Sequence, residues 1–156
     1  MRFPFQRADI EPTPAFPTNV IYRPVIPIWI GPKGGPLKPY LGLLDTGADD
    51  TALPLSEAGR LGVTLDRSHP IPFRGVGGPT FGYFGEVTME LRQSPRFYRW
   101  TIQVAFLPKP KDASPEELTL VYLGHSGFFR FFNAKFNYQR NRVKIHPNGL
   151  FVGQRR

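Results

Sequence analysis

The chain has 156 residues, no cysteine, and 20 Lys and Arg against 12 Asp and Glu, a formal net charge of +8. That length suits one domain with a sizeable core, and the missing cysteine excludes disulfides and thiolate metal sites. Eighteen Pro and 16 Gly weigh against long helices, whereas 14 Phe and 6 Tyr favour strands, so the composition points to an all-β barrel or sandwich with many turns.

The positive charge raises nucleic acid or an anionic surface as a partner. Read along the chain, the basic residues are scattered, with local groups at residues 92–99 and 140–144 and no nucleic-acid-binding motif beside them. A basic, soluble surface is therefore the preferred reading, and a nucleic-acid partner the weaker one. No apolar run reaches the length of a membrane-spanning helix. The start, Met1-Arg2-Phe3-Pro4-Phe5-Gln6-Arg7, lacks the apolar region of a signal peptide. The expectation is a cytoplasmic protein with no membrane partner.

Residues 1–18 carry Pro4, Pro12, Pro14 and Pro17 with little periodicity, which reads as an extended Pro-rich arm, mobile unless docked on the body or on a partner. Residues 19–30 alternate well enough for a strand pair, with Pro24 and Pro27 restricting where a neighbour can pair. Gly31-Pro32-Lys33-Gly34-Gly35-Pro36 is a turn. A strand over residues 38–44 follows and ends in the apolar run Leu41-Gly42-Leu43-Leu44.

That run delivers Asp45 to the end of a buried strand, in the stretch Leu43-Leu44-Asp45-Thr46-Gly47-Ala48-Asp49-Asp50-Thr51. A carboxylate there is costly unless it is hydrogen-bonded or shares a proton. Gly47 permits a sharp turn and a close approach by a ligand or second chain. The bland alternative is a strand that ends in an Asx-type turn.

Asp45-Thr46-Gly47-Ala48, preceded by two leucines and followed by Asp49-Asp50-Thr51, resembles the active-site signature of aspartic proteases, and of the retroviral-type proteases (retropepsins) and their cellular relatives in particular. The resemblance implies a closed retropepsin-like β-barrel, single-lobed, with one or two short helices. It implies an aspartic endopeptidase whose catalytic residue is Asp45. Thr46, Gly47 and Ala48 would support the loop, and Gly47, Asp49 and Asp50 would bind substrate. Pepsin-like enzymes carry two such motifs on one far longer chain. Of the six aspartates here only Asp45 lies in an Asp-Thr-Gly context. One motif per chain implies a symmetric homodimer with an Asp45 from each subunit on the twofold axis. Peptide hydrolysis by this route needs one carboxylate as base and one as acid on a single water, and such a pair shares a proton. Hydrolysis of a peptide substrate would then need neither metal nor cofactor. Two other readings compete with it. Asp45, Asp49 and Asp50 could hold a metal ion in a metal-dependent hydrolase, or the chain could be a catalytically weak or inactive binding or assembly module on the same fold.

Downstream, residues 52–55 are apolar, and Ser56-Glu57-Ala58-Gly59-Arg60-Leu61-Gly62 reads as a one- or two-turn helix closed by Gly62. Residues 70–91 read as a hairpin whose tip is Gly75-Val76-Gly77-Gly78. This tip resembles the retropepsin flap, which implies substrate contacts from Gly75, Val76, Gly77 and Gly78, with the Val76 backbone N–H aimed at the bound water or carbonyl. Residues 92–95 form a turn and residues 97–107 a strand. Residues 108–117 are a polar loop, open to proteolytic nicking.

Leu118-Thr119-Leu120-Val121-Tyr122-Leu123-Gly124 is a second apolar run that ends in glycine, and residues 125–132 would form a short helix with Phe128, Phe129, Phe131 and Phe132 mostly in the core. The family usually carries Arg and then Asp or Asn after that glycine, and the Arg pairs with the acid corresponding to Asp49. This chain has His125 and Ser126, so the partner of Asp49 is open among His125, Arg140 and Arg142. Residues 134–138 and 143–146 read as strands around a turn, and residues 150–152 as a last short strand. The expected organisation is an arm over residues 1–18, the protease-like domain over 19–146 and an extension over 147–156.

Overall fold

The computed structural model describes residues 1–75, 78–108 and 119–156. The strands in chain order are β1 (Arg2–Pro4), β2 (Gln6–Asp9), β3 (Val20–Arg23), β4 (Val25–Pro32), β5 (Lys38–Leu44) and β6 (Ala52–Pro54), then helix α1 (Ser56–Leu61). There follow β7 (Ile71–Gly75), β8 (Gly78–Gln93), β9 (Arg96–Leu107), β10 (Val121–Leu123), β11 (Phe132–Asn137), β12 (Arg142–Pro147) and β13 (Gln154–Arg155).

Six of these strands close on themselves. β9 pairs with β6, β6 with β10, β10 with β5, β5 with β4, β4 with β8, and β8 returns to β9. The closed ring removes sheet edges that would otherwise stand open. Period-2 alternation fills the interior: Ile26, Ile28 and Ile30 of β4, Val87, Met89 and Leu91 of β8, and Trp100, Val104 and Phe106 of β9 are at most 2% exposed. Pro27 sits where β4 has only β5 beside it, because pairing with β8 begins at Trp29. A residue without an N–H is tolerated at such a half-open position.

A three-stranded sheet, β1-β12-β11, flanks the barrel. Phe3 and Phe5 are each 5% exposed and join the core, and Phe5 N–H donates to the Asn141 carbonyl. The start of the Pro-rich arm is thus docked on the body. β2 and β3 pair with each other in a separate two-stranded ribbon.

Three local expectations change. Residues 19–30 do form two strands, but β3 takes β2 as its partner, since both sides of β4 belong to β5 and β8. The helix expected over residues 125–132 is a single π-helical turn, His125–Phe129. Phe132 instead opens β11 opposite Pro147, where its ring packs 4.8 Å from that of Trp100. The strand expected at 150–152 lies later, at Gln154–Arg155, where the tail meets β9; Leu150 and Val152 are exposed. Helix α1 matches its expected span, and Gly62 closes it at φ +72°, a left-handed conformation that suits glycine. Among the described residues, no helix is long and apolar enough to cross a membrane.

Candidate active site

β5 ends at Leu44, whose side chain is buried, and Asp45 follows directly at the barrel's rim, half-buried. β10 lies parallel beside β5, with Val121, Tyr122 and Leu123 opposite Gly42, Leu43 and Leu44. The approach is close: a Cβ on Gly42 would stand 2.7 Å from the Leu123 side chain. Asp45 N–H donates to the Leu123 carbonyl at 3.1 Å, so the acid is anchored to β10 through its own backbone.

The loop from Asp45 to Thr51 is laced to the segment after β10. His125 N–H donates to the Ala48 carbonyl at 2.9 Å, and Ser126 N–H to the Asp49 carbonyl at 2.8 Å. Gly124 N–H donates to the buried Thr51 hydroxyl at 3.1 Å. Two side chains add to this. Ser126 Oγ donates to Asp50 Oδ1 at 2.8 Å, and His125 Nε2 lies 2.9 Å from the Thr46 carbonyl oxygen. A carbonyl can only accept, so that ring nitrogen carries the proton. A Cβ on Gly124 would fall 2.3 Å from the Asp50 carbonyl oxygen, so nothing larger than glycine fits between the two segments as they stand.

Asp45 Oδ1 accepts from Gly47 N–H at 2.9 Å. This is the Asx turn of the bland reading, and it also aims the carboxylate. Gly47 itself is not among the left-handed glycines, and a Cβ there would meet only Asp45 Oδ1, at an ordinary 3.4 Å. The turn therefore does not demand glycine at 47 within one chain.

Among the described residues, neither His125 nor Arg140 nor Arg142 pairs with Asp49. The 125–126 segment instead holds Asp50 by a side-chain bond and Asp49 by its backbone, and the Asp49 side chain stays exposed. Among the described residues, no cation takes the place of the family's Arg. A hydroxyl on the neighbouring acid and an imidazole on Thr46 do the tying. This arrangement follows from loop packing and had no local signal beyond the departure at His125-Ser126. Among the described residues, no group of three or more His, Asp or Glu converges to hold a metal ion, so Asp45, Asp49 and Asp50 stand apart as ligands.

The hairpin β7–β8 leaves the barrel beside this loop. Tyr83 of β8 lies opposite Phe106 of β9, which is also opposite Leu53, and Ala105 N–H donates to the Thr51 carbonyl. Register runs out to Gly75 opposite Gly78. Gly78 has φ +93°, which side chains with a Cβ rarely adopt. Val76 and Gly77, the expected tip contacts, lie outside the described residues, as does most of the polar loop expected at 108–117.

A family described as aspartyl protease matches residues 26–120, which include the Asp45 loop and the β7–β8 hairpin. Among solved structures, the chain is similar to EIAV protease complexed with the inhibitor HBY-793, at 23% sequence identity and a TM-score of 0.43, over 64% of this chain and 81% of that one. No curated protein matches. The chain belongs to the aspartyl protease family.

Proposed function

We propose that the protein is an aspartic endopeptidase whose active unit is a homodimer, with one Asp45 from each subunit at the shared site. The observation that carries this reading is a single Asp-Thr-Gly acid, set at the end of β5 on a loop clamped by backbone and side-chain hydrogen bonds to β10 and the turn after it. Preorganised positioning of this kind is what acid–base chemistry on a bound water requires. The chain supplies one such acid and the reaction uses two.

In the assembled site, one Asp45 is ionised and takes a proton from the water as its oxygen attacks the peptide carbonyl carbon. The other is protonated and gives its proton to the carbonyl oxygen. The tetrahedral intermediate collapses with breakage of the C–N bond, and the leaving amine takes up a proton. No covalent enzyme intermediate forms. Like charges at contact distance cannot both ionise, which is why the pair shares one proton, as the paired carboxylates of aspartic proteases do in general. Thr46 would hold the two loops together across the axis. Gly47, Asp49, Asp50 and the Gly75–Gly78 tip would receive the substrate backbone. The domain boundaries at residues 18 and 146 are part of the same proposal.

The test is cleavage of a mixed peptide library by wild type and by Asp45→Asn. The variant, folded by circular dichroism, is expected to cleave nothing. Wild-type activity is expected to fall with a transition-state-mimicking inhibitor such as pepstatin and to be indifferent to EDTA. Full activity in Asp45→Asn would end the protease reading at this residue.

A further inference from the structure

The outer face of the β8–β9 hairpin carries chemistry that proteolysis does not use. Cross-strand pairs stack along it in register: Thr88 with Thr101, Glu90 with Arg99, and Arg92 with Phe97. Opposed residues two apart share one face of a sheet, and the intervening Val87, Met89, Leu91 and Trp100 point into the core. Glu90 is nonetheless only 2% exposed. It accepts from Nε of Arg92 and, at 2.6 Å, from Nε of Arg99. The Arg92 guanidinium also sits 4.6 Å over the Trp29 ring. Both guanidiniums are thereby held in place through Nε, and their Nη atoms have no protein acceptor among the described residues. A fixed guanidinium with free Nη donors is suited to phosphate oxygens.

Above this face lies a hollow of about 710 Å³, walled by the turn at residues 33–37 and by the tail at 152–154. Lys33, Arg92 and Arg99 line it together with the Thr88 and Thr101 positions; among the described residues no carboxylate lines it, though Glu86 pairs with Lys33 at 3.0 Å. A second hollow of about 250 Å³ continues around Arg92, Arg96 and Arg99, and Glu90 is the sole acid there among the described residues. Tertiary pairing then adds cations from distant parts of the chain. Arg156 exchanges backbone bonds with Phe97. Arg2 bonds both ways with Gln93 and lies opposite Lys144. Basic residues that look scattered in the sequence converge on one end of one hairpin.

We propose that this face binds the phosphodiester backbone of a single-stranded nucleic acid, independently of the Asp45 site. Concavity favours that partner over an anionic bilayer. A flexible strand can enter a walled groove, whereas a bilayer meets only its rim. Phe97, at the end of the ladder, is partly exposed, with the Arg99 guanidinium 5.7 Å over its ring.

The experiment is fluorescence anisotropy of a labelled oligothymidylate with the full chain across a salt series. Saturable binding is expected, weakening with salt by a slope of about −0.7 per phosphate contact. Lys33→Gln with Arg96→Gln leaves both partners of Glu90 in place. This double variant is expected to weaken binding and to flatten the slope by about 1.4, two contacts' worth. Arg7→Gln with Arg23→Gln removes the same charge from the β2–β3 ribbon and is expected to leave affinity and slope unchanged. Equal losses in the two doubles would overturn the proposal in favour of diffuse charge. So would absence of saturable binding at low salt, or binding to phosphatidylserine vesicles with none to the oligonucleotide.

Discussion

At the scale of single residues, Asp45 is placed by its neighbours more than by its own contacts. Its backbone is bound to Leu123, its carboxylate to Gly47 N–H, and the next peptide carbonyl, that of Thr46, to the His125 ring. His125 is a positioning residue under the proposed mechanism. Removal of one neutral hydrogen bond is worth about 1 kcal/mol, which corresponds to roughly a fivefold change in rate if the bond acts fully at the transition state. His125→Ala is therefore expected to lower kcat about fivefold with KM nearly unchanged. His125→Gln keeps an N–H at similar reach and is expected to recover most of it. Steady-state kinetics on the two variants check this, and equal activity in His125→Ala and wild type would remove the role.

At the scale of elements, β5 is fastened at both ends. Its far end meets α1, where the Tyr40 hydroxyl donates to Glu57 at 2.7 Å and Arg60 donates to the other oxygen at 3.1 Å. Glu57 is 2% exposed, so it depends on both partners. Burial first, and then the bond and charge of Glu57, push the Tyr40 hydroxyl well above its ordinary value of 10.0. Tyr40→Phe leaves a buried carboxylate short of a donor and is expected to destabilise by about 1–3 kcal/mol. The sign with pH follows from the raised value. The bond's contribution is fully present below pH 10.0 and declines above it, because the unfolded chain then releases the proton more readily. The gap between wild type and Tyr40→Phe in denaturant titrations is expected to be flat through neutral pH and to narrow at alkaline pH. A gap that widens there would contradict the assignment.

At the scale of the whole molecule, one barrel presents one Asp45, so activity under the proposed mechanism depends on assembly. Function is then linked to concentration. Activity per milligram is expected to fall on dilution below the dimer dissociation constant, and excess Asp45→Asn chains are expected to poison wild type through heterodimers. Sedimentation beside a dilution series of activity checks this. An obligate monomer, fully active at high dilution, would sink the homodimer and leave Asp49 or Asp50 to complete the pair within one chain.

The candidate acid, its loop, the α1 stop at Gly62 and the alternation of the long strands were legible in the sequence, because each rests on residues adjacent in the chain: a motif, a cap or a period of two. Which side chains tie down the Asp45 loop was not legible. Residues 45–51 and 123–126 are far apart in sequence, and only parallel pairing of β5 with β10 brings Ser126 to Asp50 and His125 to Thr46. A closed barrel was implied by the resemblance, but the partner of β3 and the shift of the last strand to Gln154–Arg155 depend on which edges remain open once that barrel forms. The basic face is the clearest case. Lys33 looks unrelated to Arg92 and Arg99 along the chain, and Arg2 and Lys144 belong to another sheet; cross-strand pairing and the Arg2–Gln93 hydrogen bonds bring them together, since register is a property of the folded sheet and not of any one segment.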